Sequence, residues 1–255
     1  MKAQAYEMLA AREGTYWWHR ARRVMVRNLL RKYGVAERPR WLDLGSGPGG
    51  NLALLDPLSP DLVVGVDISP IARGIAQRKA PHAGLVGADI AKPLPFADST
   101  FDVVTVFNVL YHAWVKSEAA VLAEAARTMR RGALFLATEP AFAVLEREMD
   151  EIAMTRRRYR SKEFAGLCAA AGFDILYTGY FTSFGFPLLL GLNWLGKLHG
   201  SRASEHGEQA AADMRPLPAP INGAMYAAAR AEGFLIEHGF HVPLGTTLIC
   251  IARKP

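Results

Sequence analysis

The chain has 255 residues, 51% apolar and 21% charged, with a formal net charge of +6. That length fits one large α/β domain or a domain with an added cap, and the balance excludes a disordered or fibrous chain. The positive charge favours anionic partners softly, because the basic residues are scattered rather than held in one arm.

In chain order, residues 3–33 read as one or two helices, with an aromatic knot at Tyr16, Trp17 and Trp18. Arg40 to Leu44 is a short apolar strand running into glycines, after which Asn51 to Leu55 is expected to start a helix. Leu62 to Val66 is a continuous β-branched strand ending at Asp67. Ser69-Pro70 supplies an N-cap and a first-turn proline for a helix to about Lys79. Gly84 to Ala88 is a brief third strand and Phe101 to Phe107 a fourth. A helix is expected over Lys116 to Arg130, stopped by Arg131-Gly132, with a fifth strand over Ala133 to Thr138. Ser161 to Ala171 reads as a helix with Gly172 as its C′ residue, and Phe173 to Phe181 as a strand. Phe184 to Leu198 is apolar and helical, residues 199–220 are polar and loop-like, Ile221 to His238 is a helix, and Thr246 to Ala252 closes as a strand. Strands alternating with helices at this spacing indicate a doubly wound parallel sheet.

Neither Cys168 nor Cys250 has a metal-type neighbour, so both read as small buried hydrophobes suited to a reducing cytosol, and no metal site is expected. The first residues hold no signal-peptide run, and no apolar stretch reaches the roughly 18 residues of a membrane span. The expected location is cytoplasmic. The 184–198 helix is read first as packed on the core, with a substrate cover, a dimer face or a membrane-surface contact as the other uses.

The chemistry is carried by Asp43-Leu44-Gly45-Ser46-Gly47-Pro48-Gly49-Gly50. Glycines after a first strand permit positive φ and let a ligand approach the backbone. Gly45, Gly47 and Gly50 also satisfy the dinucleotide fingerprint, with Asp67 at the ribose distance, so the glycines alone leave an NAD-type cofactor open. Asp43, two residues ahead of Gly45, would repel a pyrophosphate yet accept from an ammonium. Gly87-Ala88-Asp89-Ile90 ends the third strand with a second acid and an apolar residue where an adenine could lie.

WLDLGSGPGG, VVGVDISP, GADIAKPLPFADSTFDVV and FNVLYH together resemble, over residues 40–140, the motifs of class I methyltransferases that use S-adenosylmethionine (SAM) and release S-adenosylhomocysteine. The resemblance implies a Rossmann-like seven-stranded sheet with the last strand antiparallel. It places Gly45, Ser46, Gly47 and Gly49 under the methionine portion with Asp43 nearby, and Asp67 and Ile68 at the ribose. Asp89 and Ile90 fall at the adenine, and Asn108 near the methionine tail. Tyr16 to Arg23 resembles the His-Trp-Trp-Phe-Arg-Gly-Arg-Arg opening of a bacterial small-molecule subgroup, so Tyr16 and Trp18 are lid candidates. Glu139-Pro140-Ala141-Phe142, Arg157-Arg158-Tyr159 and Pro243-Leu244-Gly245 resemble its later landmarks. Tyr16 and His19 replace the opening's His and Phe, and no histidine shortly precedes Arg157, so no role is carried over for those histidines.

His112, after strand four, and Glu139, after strand five, are the candidate bases; Tyr111, His112, Arg158 and Tyr159 are the candidate substrate contacts. For His112 a ring satisfied by backbone contacts is the first reading, and for Arg158 a structural ion pair is an equal one. One domain is expected: an N-terminal helical cap (1–38), a SAM-binding core (39–181), a helical lid (182–244) and a closing strand (245–255). The expected activity is methyl transfer to the O, N or C of a small molecule with a carboxylate, phosphate or apolar part, in specialised metabolism, by a monomer or homodimer. The rivals are an NAD-dependent oxidoreductase and an inactive SAM-fold binding protein. A nucleic-acid methyltransferase is disfavoured because Asn108-Val109-Leu110-Tyr111 stands where a base-flipping Asn/Asp-Pro-Pro-aromatic signature would be.

Overall fold

The computed structural model describes residues 3–146, 150–151, 153–198 and 217–255. Two helices, α1 (Ala3–Arg12) and α2 (Trp17–Lys32), precede β1 (Arg40–Leu44) and β2 (Leu62–Val66). Then come α3 (Pro70–Lys79), β3 (Gly84–Val86), β4 (Phe101–Phe107), α4 (Glu118–Thr128) and β5 (Met129–Pro140). The chain ends through α5 (Ser161–Ala170), β6 (Asp174–Phe181), α6 (Gly185–Leu198), α7 (Ala219–Glu237) and β7 (Thr247–Arg253).

The seven strands lie in the order β3-β2-β1-β4-β5-β7-β6. β7 pairs antiparallel with both neighbours, and every other pairing is parallel. β1 and β4 are buried on both faces, as a parallel sheet covered by helices requires, and so are written in apolar runs. The strand order reverses between β1 and β4, which opens a crevice at their carboxyl ends.

The expected helix from Asn51 does not form. Pro48, Gly49 and Gly50 before it and Pro57 and Pro60 after it leave too few residues to nucleate one. The segment instead makes tight turns, Leu52 N–H to Gly49 O at 3.1 Å and Leu54 N–H to Asn51 O at 2.7 Å, before a 3-10 turn at Asp56–Leu58. Nor do Arg131-Gly132 end a helix. The α4 helix stops at Thr128, because Met129 already pairs with Phe101 and Arg130 ties to Asp102 at 2.8 Å. The register then jumps to Val103 opposite Leu134, an irregularity that Gly132 accommodates at φ +78°.

The N-terminal cap is fastened at several points. Trp18 donates its indole N–H to Thr247 Oγ1 at 3.2 Å, and Lys79 meets Glu13 at 2.9 Å. Along α2, Arg20 lies over the Tyr226 ring of α7 and Asn28 bonds Glu237. The α6 helix rests on the turn after β5 through Asn193, which donates to Val144 O and Glu146 O. Its Leu188, Leu190, Leu192 and Trp194 are exposed, so it is not the core-packed helix first expected. Most of the expected 199–220 loop lies outside the described residues. No helix of the described residues is long and apolar enough to cross a membrane.

Candidate active site

The loop after β1 turns through Gly45 at φ +76° and Gly47 at φ +53°. A Cβ on Gly45 would lie 2.4 Å from Val109 Cγ2, so only glycine fits where this loop passes the end of β4. The N–H groups of Gly45 and Ser46 both donate to Val66 O, at 2.8 and 2.9 Å, and bind the loop to the end of β2. Asp67 follows at once and is held from both sides. Its Oδ2 accepts from Gly47 N–H at 2.9 Å and its Oδ1 from Ser69 N–H at 2.8 Å. Burial raises its pKa above the ordinary carboxylate value, against the pull of those two N–H groups.

A cavity of about 570 Å³ opens over this loop. Gly45, Ser46, Gly47, Asp67, Ile68, Asp89 and Ile90 line it. Asn108, Tyr111 and His112 line it as well, with Trp18 from the cap. Those residues, scattered over 95 positions of sequence from Trp18 to His112, share one wall. Asp89 also caps its own loop, accepting from Ala91 N–H at 3.0 Å. None of the described residues from 182 to 244 lines the cavity; its roof is α1 and α2.

Other candidates lie off the wall. Asp43 is buried behind it, with Oδ1 accepting from Thr105 Oγ1 at 2.7 Å and Oδ2 without a partner; burial pushes its pKa up to about 7. Gly49 packs against Ala76, and Tyr16 precedes α2 with its ring on Trp17 and His19. Glu139 is fully buried and accepts from the backbone N–H groups of Val109, Leu110 and Tyr111 at 2.9–3.2 Å. Arg158 grips Asp150 with two nitrogens, at 2.9 and 3.1 Å, and donates to Ala141 O. Tyr159, also fully buried, donates its hydroxyl toward Leu110 O and Glu118 Oε1. Arg156 and Arg157 pair with Glu118 as well, so this basic cluster is largely spent on structure.

His112 is on the wall and is held rigidly. Its ring stacks on Trp114 with centroids 3.8 Å apart and lies 3.9 Å from the Tyr111 ring. Its Nδ1 sits 2.7 Å from Ala153 O, so the neutral ring donates there and keeps its lone pair on Nε2. Burial pulls its pKa down to about 4, although the carbonyl opposes the shift.

An N-terminal cap was expected from the sequence, but Tyr6, Leu9, Glu13 and Asn51 were not singled out, and Arg22 was read only within the basic group Arg20, Arg22, Arg23 and Arg27; these residues and His19 also line the cavity. One signal was available for Arg22. On α2 it falls in the stripe of Trp18, Met25 and Leu29, where helical spacing calls for an apolar side chain.

Residues 42–137 match the family model described as a methyltransferase domain. A Mycolicibacterium smegmatis protein named "Probable S-adenosylmethionine-dependent methyltransferase" is 25% identical over 161 residues, covering 62% of this chain and 60% of that one. A demethylmenaquinone methyltransferase of Roseiflexus sp. is 39% identical over 105 residues, 40% of this chain and 43% of its own. The chain thus spans less than two thirds of the length of these curated relatives. A solved geranyl diphosphate methyltransferase in complex with SAM shares the fold at a TM-score of 0.57 and 15% identity, covering 89% of this chain and 83% of that one.

Proposed function

We propose that this chain, whose residues 42–137 match a methyltransferase domain, is a class I SAM-dependent methyltransferase that transfers a methyl group from SAM to a small-molecule acceptor. The observation that carries the reading is the single cavity in which the Gly45–Gly47 loop, Asp67, Asp89 and His112 meet. The residues fit the cofactor. Each Asp67 oxygen spends one lone pair on a backbone N–H, which leaves acceptor capacity for two ribose hydroxyls. Asp89 and Ile90 suit an adenine amino group and ring, and Asn108 and the buried, unpartnered Ser46 Oγ suit the polar amino-acid tail. The unpartnered Asp43 oxygen behind the loop disfavours a pyrophosphate, and with it the oxidoreductase reading.

When bound, SAM supplies a methyl group on a positively charged sulfur, already reactive toward a well-placed nucleophile. The chain then has to position the acceptor, exclude water and take a proton where the acceptor carries one. Residues of α1 and α2, among them Leu9 and Trp18, line the cavity and would help to exclude water. His112 Nε2 is the group that takes the proton from a hydroxyl, with its ring packed against Tyr111 and Trp114 and Nδ1 tied to Ala153. Glu139 fills a positioning role, gathering the N–H groups of the turn that carries Tyr111 and His112. Tyr111 and Trp114 line the cavity beside His112, while Arg158 is occupied by Asp150. That supports a flat, largely uncharged acceptor over one with a carboxylate or phosphate. A place in specialised metabolism belongs to this same proposal.

Calorimetric titration tests the cofactor: micromolar binding of S-adenosylhomocysteine and SAM with no response to NADH supports it. NADH binding alone would make the protein a dehydrogenase, and binding of none of the three would favour a non-enzymatic partner. With an acceptor in hand, His112→Ala should lower kcat by about 10²-fold or more. Because the folded-state pKa is about 4, the wild-type rate should lose no activity to His112 protonation between pH 6 and 8. An unchanged kcat in the variant would remove His112 as the base and point to an amine acceptor.

A further inference from the structure

Asp43 is a buried acid, 1% exposed, that no step above uses. The strand register sets Thr105 of β4 directly across from it on β1, and Trp41, two residues earlier, shares its face of the strand. Trp41 and Thr105 are fully buried as well. The three side chains form a chain of hydrogen bonds. Trp41 donates its indole N–H to Thr105 Oγ1 at 2.8 Å, and Thr105 donates its hydroxyl to Asp43 Oδ1 at 2.7 Å.

The direction of that chain is fixed. An indole nitrogen only donates, so Thr105 accepts from it and has its single proton left to give. The other oxygen in reach of that proton, Leu42 O, is 3.5 Å away, so Asp43 receives it. Oδ1 is thereby spent on the protein, and Oδ2 stays buried with no partner among the described residues. Burial pushes the Asp43 pKa up to about 7. The Thr105 hydroxyl and Arg22 of α2 pull it down, whereas Glu13, just past α1, and Asp67, just past β2, push it up. Among the groups that favour the anion, the Thr105 hydroxyl acts most strongly.

We infer that Thr105, held by Trp41, is a positioning residue of the cofactor site, fixing which oxygen of Asp43 stays free behind the glycine loop and favouring its charged form. This rests on the cofactor proposed above, a ligand that is cationic at its sulfur. A carboxylate behind the loop lowers the energy of such a ligand, and a neutral acid does not. The cofactor therefore binds more tightly as pH rises through the Asp43 pKa, and Thr105 sets where that rise falls.

The test is calorimetric titration with SAM from about pH 5.5 to 8.5, on the wild type, Thr105→Val, Thr105→Ser and Asp43→Asn. Asp43→Asn reports the pH dependence that belongs to the ligand's own amine and to other acids such as Glu139. Beyond that background, wild-type affinity should rise about tenfold across the range, with its midpoint near 7. Thr105→Val keeps the shape and loses the donor, so its midpoint should move up by about one pH unit. Thr105→Ser should restore the wild-type midpoint. If Asp43→Asn does not fold, the shift between Thr105→Val and Thr105→Ser decides, because the ligand is the same for both. A Thr105→Val loss that is equal at every pH would make Thr105 a packing residue. A wild type no more pH-dependent than Asp43→Asn would show that the Asp43 charge does not reach the cofactor. Either result overturns the inference. A wild type that binds neither SAM nor S-adenosylhomocysteine at any pH brings down the cofactor reading itself, and this inference with it.

Discussion

Asp67→Ala should weaken S-adenosylhomocysteine binding at least tenfold, about 1.4 kcal/mol, and toward a hundredfold if both ribose hydroxyls are lost as partners. The residue acts twice. Toward the cavity its carboxylate has spare lone pairs, and toward the protein it holds Gly47 N–H and Ser69 N–H at 2.9 and 2.8 Å. The first of those bonds fixes the glycine loop and the second the start of α3, so truncation loosens the floor as well as removing the contact. Asp67→Asn separates the two effects: one amide oxygen can still accept, whereas the –NH₂ group meets a backbone N–H and must turn away. Titration calorimetry on both variants, with circular dichroism to confirm folding, gives the answer. Unchanged affinity in Asp67→Ala would show that the ribose lies elsewhere.

The elements most legible in the sequence were those buried on both faces. β1, β2 and β4 run over the residues expected, because an unbroken apolar, β-branched run has one use in a parallel sheet. The cap of α3 was equally plain: Ser69 Oγ accepts from Ala72 N–H and Pro70 starts the helix. The stretch after Asn51 misled because its Leu and Ala content suits a helix, while the flanking prolines and glycines decided the outcome. The start of β5 was hidden because Met129 and Arg130 are good helix formers, and a long-range pairing with β4 overrode that preference.

In the site, the glycine loop, Asp67, Asp89 and Asn108 were singled out by their positions after strands, and they line one cavity. The roles of Arg158 and Tyr159 were not. Their partners Asp150, Glu118 and Leu110 are brought in by folding, and nothing in the local pattern marks a spent guanidinium from a free one. The N-terminal cap was expected as a unit, but most of its lining residues were not. Helix α1 carries no motif of its own, and its side chains reach the cavity only through long-range contacts such as Glu13 with Lys79.

Glu139→Ala should destabilise the fold by about 3–5 kcal/mol, the largest stability effect expected of any residue at the site. The carboxylate sits at zero exposure and gathers the N–H groups of Val109, Leu110 and Tyr111, and truncation leaves all three without an acceptor in a buried turn. The dependence on pH follows from its charge. Burial pushes the Glu139 pKa up to about 8, against the three N–H groups that favour the anion, so the folded state holds a proton that the unfolded chain releases near pH 4.5. Its stabilising contribution is therefore complete at low pH and is lost as pH rises toward 8. Asp43, raised to about 7, acts in the same direction. His112, lowered to about 4, acts oppositely, but only below its unfolded value of 6.5. Between pH 6.5 and 8 the carboxylates are left to dominate, and wild-type stability should fall across that window. Glu139→Ala should fall less, so the gap between the two narrows as pH rises. Urea unfolding of both proteins at pH 6.5 and 8 measures this directly. A gap below about 1 kcal/mol at pH 6.5 would mean that the turn keeps its own shape and that Glu139 does not brace His112. A large gap that stays constant with pH would mean that the three N–H groups outweigh burial and keep the carboxylate ionised throughout. Glu139 would then be a fixed negative charge beneath His112 and would favour proton uptake by that ring.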